Sequence, residues 1–330
     1  MRILVTGGAG YVGSVSAEAF LAAGHEVVVL DDLTTGHRAA VPAAATLHVG
    51  TYADAGAVAD LLRAERIDAI LHCAARSLVG ESIRDPSRYF RDNVAGGIAL
   101  LDAARAGGVE RIVFSSTAAV YGTPDSTPIT EDAPLRPINP YGESKRAFEA
   151  ALGWYGRAYG LRSVTLRYFN VAGATATLGE DHEPETHLIP NILRAALGRT
   201  ELTVFGDDYP TPDGTCIRDY IHVADLADAH RLAIEATAPG DHRTDEPLVC
   251  NLGSGGGFSI RQVIAAAETA VGQAIPFAVG ARRPGDPPAL VAESTRATEV
   301  LGWHAARPTL DAMIGSAWAW RQAHPDGYPD

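Results

Sequence analysis

Cysteine is scarce in this chain: three residues, Cys73, Cys216 and Cys250, in 330. They are odd in number, far apart and never arranged as CxxC, so neither a disulfide framework nor a cysteine-based zinc site is suggested. Reduced thiols in a cytosolic protein are the expectation. Positive charge is also short, with 27 Lys and Arg against 40 Asp and Glu and a net charge of −13. A general nucleic-acid binder would need a basic face, and this balance argues against one. Long apolar runs are missing as well. The N-terminal run is too short for a signal peptide, and no later run reaches a membrane span, so the expected location is cytoplasmic. The eleven histidines show no HxH or HExxH arrangement, and the expectation is no metal. Internal repeats, low-complexity tracts and long charge runs do not occur.

What is present is a soluble globular composition, 46% hydrophobic and 20% charged, long enough for one large domain or two ordinary ones. Short apolar runs at 2–6, 26–30, 46–49, 69–72, 111–115 and 163–167 read as strands. Helical stretches read at 13–23, 55–65 and 93–106, with another starting near Tyr141. This alternation implies an α/β fold, a Rossmann-like doubly wound parallel sheet covered on both faces. Ligands then bind beyond the carboxyl ends of the strands. After about Asn170 the rhythm loosens, with helices expected at 189–197, 225–236 and 259–271 and a strand at 248–251. The expected division is residues 1–170, with return segments near 218–253, for a cofactor. Residues 171–330 form a smaller mixed α/β lobe for substrate.

The run Val5-Thr6-Gly7-Gly8-Ala9-Gly10-Tyr11-Val12-Gly13 follows the first strand and opens the first helix. Gly8, Gly10 and Gly13 satisfy G-x-G-x-x-G, and Gly7, Gly10 and Gly13 give G-x-x-G-x-x-G. Such glycines let backbone N–H groups approach a pyrophosphate at a helix N-terminus. Asp31 closes the second strand, near the place of a carboxylate that binds the adenosine ribose. It would accept from a 2′-hydroxyl and repel a 2′-phosphate, favouring NAD over NADP, with Arg38 as the weaker, opposite reading. In Tyr141-Gly142-Glu143-Ser144-Lys145 a phenol and an ammonium stand one helical turn apart, on one face. A positive charge there favours the phenolate and makes Tyr141 a candidate general base. A surface tyrosine beside a solvated lysine is the plainer reading of the same spacing.

With TGGAGYVG, LDDL, FSSTAAVYG, NPYGESK and LRYFN in this order, the chain resembles the extended short-chain dehydrogenase/reductases. Val79-Gly80-Glu81-Ser82, the run from Gly206 to Val223, Arg282-Arg283-Pro284-Gly285-Asp286 and the closing Gly327-Tyr328-Pro329-Asp330 narrow the resemblance to UDP-glucose 4-epimerases. It spans the whole length. It implies a tightly held NAD, proton abstraction from the sugar 4-OH by Tyr141 as hydride leaves C4, and return of hydride to the other face of the 4-keto sugar. Lys145 would lower the Tyr141 pKa and bind the nicotinamide ribose, and Thr117 would relay the 4-OH proton. The cofactor residues implied are Gly7, Gly10, Tyr11, Val12, Gly13, Asp31, Asp32, Thr51, Tyr52, Cys73, Ala74, Ala75, Asn93, Ser115, Tyr141, Lys145 and Tyr168. Arg218 and Arg283 would contact the diphosphate. Asn170, His187, Leu188, Phe205 and Asp286 would hold the rest of a UDP-hexose, with Thr117 and Leu290 beside the sugar. A homodimer through 93–106 and 141–159 is implied too.

Departures from the family pattern are confined to ligand holding. Thr51-Tyr52 replaces an adenine-side Asp-Ile pair, Ser77 replaces a lysine near the phosphates, with Arg76 beside it, and His187 replaces an asparagine. Leu290 is intermediate between the large residue of enzymes restricted to plain hexoses and the small one of those accepting N-acetylated sugars. Elimination of water would need an acidic pair after Thr117, where Ala118-Ala119 stands. Epimerisation of another nucleotide sugar, such as a UDP-pentose, and a non-catalytic UDP-sugar sensor remain as alternatives.

Overall fold

The computed structural model describes residues 1–244, 246–283 and 286–329. Seven parallel strands form the central sheet. Their spatial order is Leu248–Leu252, Arg162–Tyr168, Arg111–Thr117, Ala69–His72, Arg2–Thr6, Glu26–Asp31 and Thr46–Val49. The chain runs outward from Arg2–Thr6 on one side, then returns to Ala69–His72 on its other side. That reversal opens a crevice at the carboxyl ends, where Thr6 is level with both Leu30 and His72.

Both faces of the sheet are covered, which is why its strands read as unbroken apolar runs. Helices Tyr11–Ala22 and Val223–Ala236 cover one face, burying Ala17, Phe20, Leu226, Ala229 and Ile234 with Val5, Val29 and Leu71. On the other face Ala55–Ala64, Gly97–Gly107 and Pro140–Tyr159 bury Val58, Leu62, Leu100, Leu101, Phe148 and Leu152 against Leu4, Ile70 and Phe114. The first helix starts at Tyr11, two residues ahead of the expected Gly13. The Arg111–Thr117 strand outruns its expected end at Ser115, so Thr117 lies on the strand itself. A wide helical turn, Phe90–Gly96, leads directly into Gly97–Gly107.

Beyond Asn170 the chain builds small sheets around a separate core. Leu202–Phe205 pairs with Phe277–Gly280, and Ile217–Arg218 sits between Phe258–Ser259 and Ala289–Leu290. Helices Leu188–Ala196, Ile260–Val271 and Leu310–Ala323 pack together through Ile192, Leu193, Val263, Ile264, Met313 and Ile314. Val223–Ala236 and Leu248–Leu252 return to the first core, as do Ala297, Leu301 and Trp303. Among the described residues no helix is long and apolar enough to cross a membrane.

Candidate active site

The glycine turn is built for close approach. Gly7 has φ +72°, and a Cβ there would lie 2.6 Å from the Ala74 nitrogen. At Gly13 a Cβ would run into the Gly7 carbonyl oxygen, so the helix meets the strand only if both positions lack a side chain. Gly10 is the N-cap and offers no side-chain cap. The first-turn amides of Tyr11, Val12 and Gly13 therefore need an acceptor from outside the helix, which suits a pyrophosphate. Asp31 ends its strand buried, with its carboxylate accepting from the Ala9 and Leu33 amides at 3.0 and 2.9 Å. Burial raises its pKa while those two amides oppose the rise. Asp32 is exposed and accepts from Thr34, and Arg38 is exposed on a short turn.

The far wall of the crevice is held by Asn93. Its Oδ1 accepts from Arg76 N at 2.8 Å, and its Nδ2 donates to Arg76 O and Ser144 Oγ at 3.0 and 2.9 Å. This fixes the 73–76 loop, where the Ala74 amide also donates to Thr6 O at 3.0 Å and the Cys73 Sγ is 3.2 Å from Ser115 Oγ. Ala75 lies on the same half-buried turn, and Ser77 is exposed. Arg76 is paired with Asp92 at 3.2 Å, beside the exposed Ser77. The Tyr52 hydroxyl donates to Asp92 O at 2.8 Å, while the Thr51 hydroxyl caps the Ala53 amide.

Tyr141 sits in the first turn of Pro140–Tyr159, entered through Asn139, whose side chain accepts from Gly142 N at 2.9 Å. A proline at the first position presets φ, and the asparagine cap satisfies an otherwise orphaned amide. The helix lays Tyr141 and Lys145 on the face toward the end of Arg111–Thr117. Lys145 is buried, with Nζ donating to Ser115 O at 2.9 Å and lying 4.7 Å from the Phe114 ring centre. Burial lowers its pKa to about 8 against the opposing pull of Cys73 and Glu149. Burial raises the Tyr141 phenol above its ordinary value, and a hydrogen bond with Thr117 opposes the rise. The expected depression by Lys145 does not appear: burial, opposed by Thr117, sets the direction.

Two buried networks brace this group. Ser115 Oγ is 2.9 Å from His230 Nε2, whose Nδ1 is 3.0 Å from Ser16 Oγ. Tyr168, level with Thr117 in the sheet, meets the His230 ring edge-on. Glu149 is one turn beyond Lys145 and binds Arg167 through both oxygens at 2.7–3.2 Å, while accepting from Ser116 Oγ at 2.5 Å. Sequence reading missed Glu149, although the 4-residue steps from Tyr141 through Lys145 place it on the same face.

In the second lobe Asn170 donates through Nδ2 to Asp219 O at 2.9 Å. Arg218 is paired with Asp286 at 3.3 Å and donates to the Ile217 and Pro287 carbonyls. Its neighbour Asp219 is fully buried and instead accepts from the Tyr220, Ser254, Gly255 and Ala292 amides. The Arg283 guanidinium covers the half-exposed Phe205 ring at 4.1 Å. Leu290 is level with Arg218 and packs on the cluster that contains Ala118, Phe169 and Ala292. Pro284 and Gly285 of the same motif lie outside the described residues. His187 caps Leu188–Ala196, and its Nδ1 is 2.8 Å from Glu180 Oε1 and 3.1 Å from Glu185 Oε1. Burial alone would lower its pKa, but the Glu180 and Glu185 carboxylates push it up to about 10.

Residues 3–253 match the family model described as the NAD dependent epimerase/dehydratase family. The chain is 51% identical to the UDP-glucose 4-epimerase of Streptococcus mutans, covering 100% of this chain and 99% of that protein. The chain belongs to the UDP-glucose 4-epimerase family. Its fold superposes on the Brucella ovis UDP-glucose 4-epimerase in complex with NAD with a TM-score of 0.92, at 46% identity and covering 96% and 97% of the two chains. The Bifidobacterium longum UDP-glucose 4-epimerase in complex with NAD+ and UDP gives 0.92 at 36% identity, covering 99% and 100%. NAD is the cofactor of these enzymes, and the uncapped first turn beside the buried Asp31 carboxylate fits it.

Proposed function

We propose that this chain interconverts UDP-glucose and UDP-galactose by reversible oxidation at C4 of the sugar. Bound NAD supplies a hydride acceptor and donor at C4. The chain's own residues handle the proton and the geometry. Tyr141 takes the proton of the 4-OH and returns it, with the Thr117 hydroxyl as its hydrogen-bond partner. Lys145 holds a positive charge at the strand end, which favours phenolate. Arg218 and Arg283 engage the diphosphate, since guanidinium groups match phosphate oxygens in pairs. Asn170, His187, Leu188, Phe205 and Asp286 hold the remaining phosphate, uracil and ribose groups. The observation that carries this reading is the meeting of Tyr141, Thr117 and Lys145 at the carboxyl end of the strand beside the glycine cradle.

The division of labour belongs to the same reading: 1–170 with 218–253 for NAD, 171–330 for the UDP-sugar. Leu290 is intermediate in size, so plain hexoses are preferred and UDP-N-acetylglucosamine is used in part. A cytoplasmic homodimer serving galactose metabolism completes it. The Pro140–Tyr159 helix supports the dimer by exposing Trp154 and Tyr159 at 67% and 49%. The deciding test incubates the purified protein with UDP-galactose and no added cofactor. UDP-glucose is the expected product, and an inactive protein even with saturating NAD overturns the reading in favour of a sensor.

A further inference from the structure

Glu180, His182, Glu185 and His187 lie on one short stretch ahead of the Leu188–Ala196 helix, and each brings a donor atom within 4.8 Å of the others. His187 Nδ1 is 2.8 and 3.1 Å from oxygens of Glu180 and Glu185. His182 Nδ1 is 3.3 and 3.7 Å from oxygens of the same two residues. Two carboxylates thus alternate with two like ring nitrogens around one centre. A tetrahedral zinc ion with bonds of about 2.0–2.1 Å sets its donors about 3.3 Å apart. The four observed separations bracket that spacing, with Glu185 facing His187 through Oε1 and His182 through Oε2.

Two features distinguish this group from ordinary ion pairs. The Glu185 side chain is only 2% exposed, yet its Oε2 accepts no hydrogen bond, and the shielded His182 Nδ1 makes none either. His182 Nδ1 lies 3.3 Å from Glu180 Oε1 and 3.7 Å from Glu185 Oε2, facing both carboxylates. Shielded polar atoms left without a hydrogen bond are costly, and a cation satisfies both. The scaffold is also fixed from outside. The Tyr328 hydroxyl exchanges hydrogen bonds with Gly179 N and O at 2.9 and 3.1 Å, Tyr328 N donates to Asp181 at 2.9 Å, and Arg321 donates to Glu180 O at 3.0 Å.

We propose that Glu180, His182, Glu185 and His187 form a binding site for one divalent transition-metal cation of the zinc type. Two imidazoles and two carboxylates suit such an ion better than magnesium or calcium, which take oxygen ligands. The ion is a staple: it fixes the entry to Leu188–Ala196 against the first helix, where Tyr11 and His182 meet edge-on. Sequence reading expected no metal because it sought HxH and HExxH. The spacing E-x-H-x-x-E-x-H places all four donors within eight residues, and only the fold shows that they converge.

The test uses the full chain with its bound NAD, chelated, then dialysed against zinc or cobalt(II). One zinc per chain is expected, with the visible absorption of four-coordinate cobalt and a melting temperature raised by the metal. Glu180→Gln and His182→Ala, each checked for retained NAD and a cooperative melt, should bind at least about 100-fold more weakly. Fewer than about 0.1 zinc per wild-type chain at about 10 μM free metal, or unchanged affinity in both folded variants, overturns the proposal. Metal content is read without any turnover, so its failure leaves the epimerase reading untouched.

Discussion

The Lys145 ammonium and the Ser115 carbonyl oxygen are 2.9 Å apart, which ties the helix that carries Tyr141 to the strand that carries Thr117. Ser115 turns its hydroxyl the other way, to His230. One residue thus joins the reacting group to the buried face of the Val223–Ala236 helix.

That junction makes the fold acid-sensitive. Burial lowers His230 to about 3 and, with a smaller push from Lys145, lowers His72 to about 3 as well. The unfolded chain gains protons at these sites near pH 6.5, whereas the folded chain resists until near pH 3. Stability is therefore complete above pH 6.5 and is lost as pH falls toward 3, by about 1.4 kcal/mol per pH unit for each histidine. His230→Gln keeps a donor and an acceptor for the two serines and removes one titration. Urea melts at a series of pH values should show its acid slope reduced by about one proton; an unchanged slope contradicts the assignment.

Asp31→Asn retains an acceptor for one of the two amides but loses the charge meant for the ribose. Hydrogen bonds to charged groups contribute about 1.5–3 kcal/mol, so NAD should bind about tenfold or more weakly. NAD content after gel filtration measures this, and full retention by Asp31→Asn would remove the residue from the cofactor site.

Two glycine substitutions should diverge. Gly13→Ala drives a methyl into the Gly7 carbonyl, so the cradle must shift and the variant should purify with little NAD and a lowered melting temperature. At Gly315, inside Leu310–Ala323, an added Cβ meets nothing within 4 Å. Gly315→Ala should stabilise by about 0.5–1 kcal/mol through helix propensity. Thermal melts of both variants beside wild type provide the comparison, and equal shifts would refute the packing argument.

The central sheet and the cradle were legible because their signals are local. Apolar runs of strand length, a glycine spacing and the i, i+4 pair at Tyr141 and Lys145 each survive in a short window. Contacts between distant segments were not. Arg218 pairs with Asp286, 68 positions away, and Asp219 next door is consumed by backbone amides. Arg76 turns to Asp92 because the wide turn at Phe90–Gly96 brings that carboxylate within reach. The Tyr141 phenol shifts upward because burial, which spacing does not reveal, outweighs its hydrogen bond with Thr117. The pairing of Ala289–Leu290 with Ile217–Arg218 likewise has no periodic signature.

The role of Tyr141 is tested most directly by Tyr141→Phe, which removes one oxygen and keeps the ring beside Tyr89. General acid–base catalysis contributes typically about 100- to 10,000-fold, so kcat for UDP-galactose should fall by at least about 100-fold. UDP-galactose binding, read by calorimetry on the NAD-loaded protein, should stay within about threefold of wild type. A kcat within about tenfold of wild type, with binding intact, would contradict Tyr141 as the group that moves the proton.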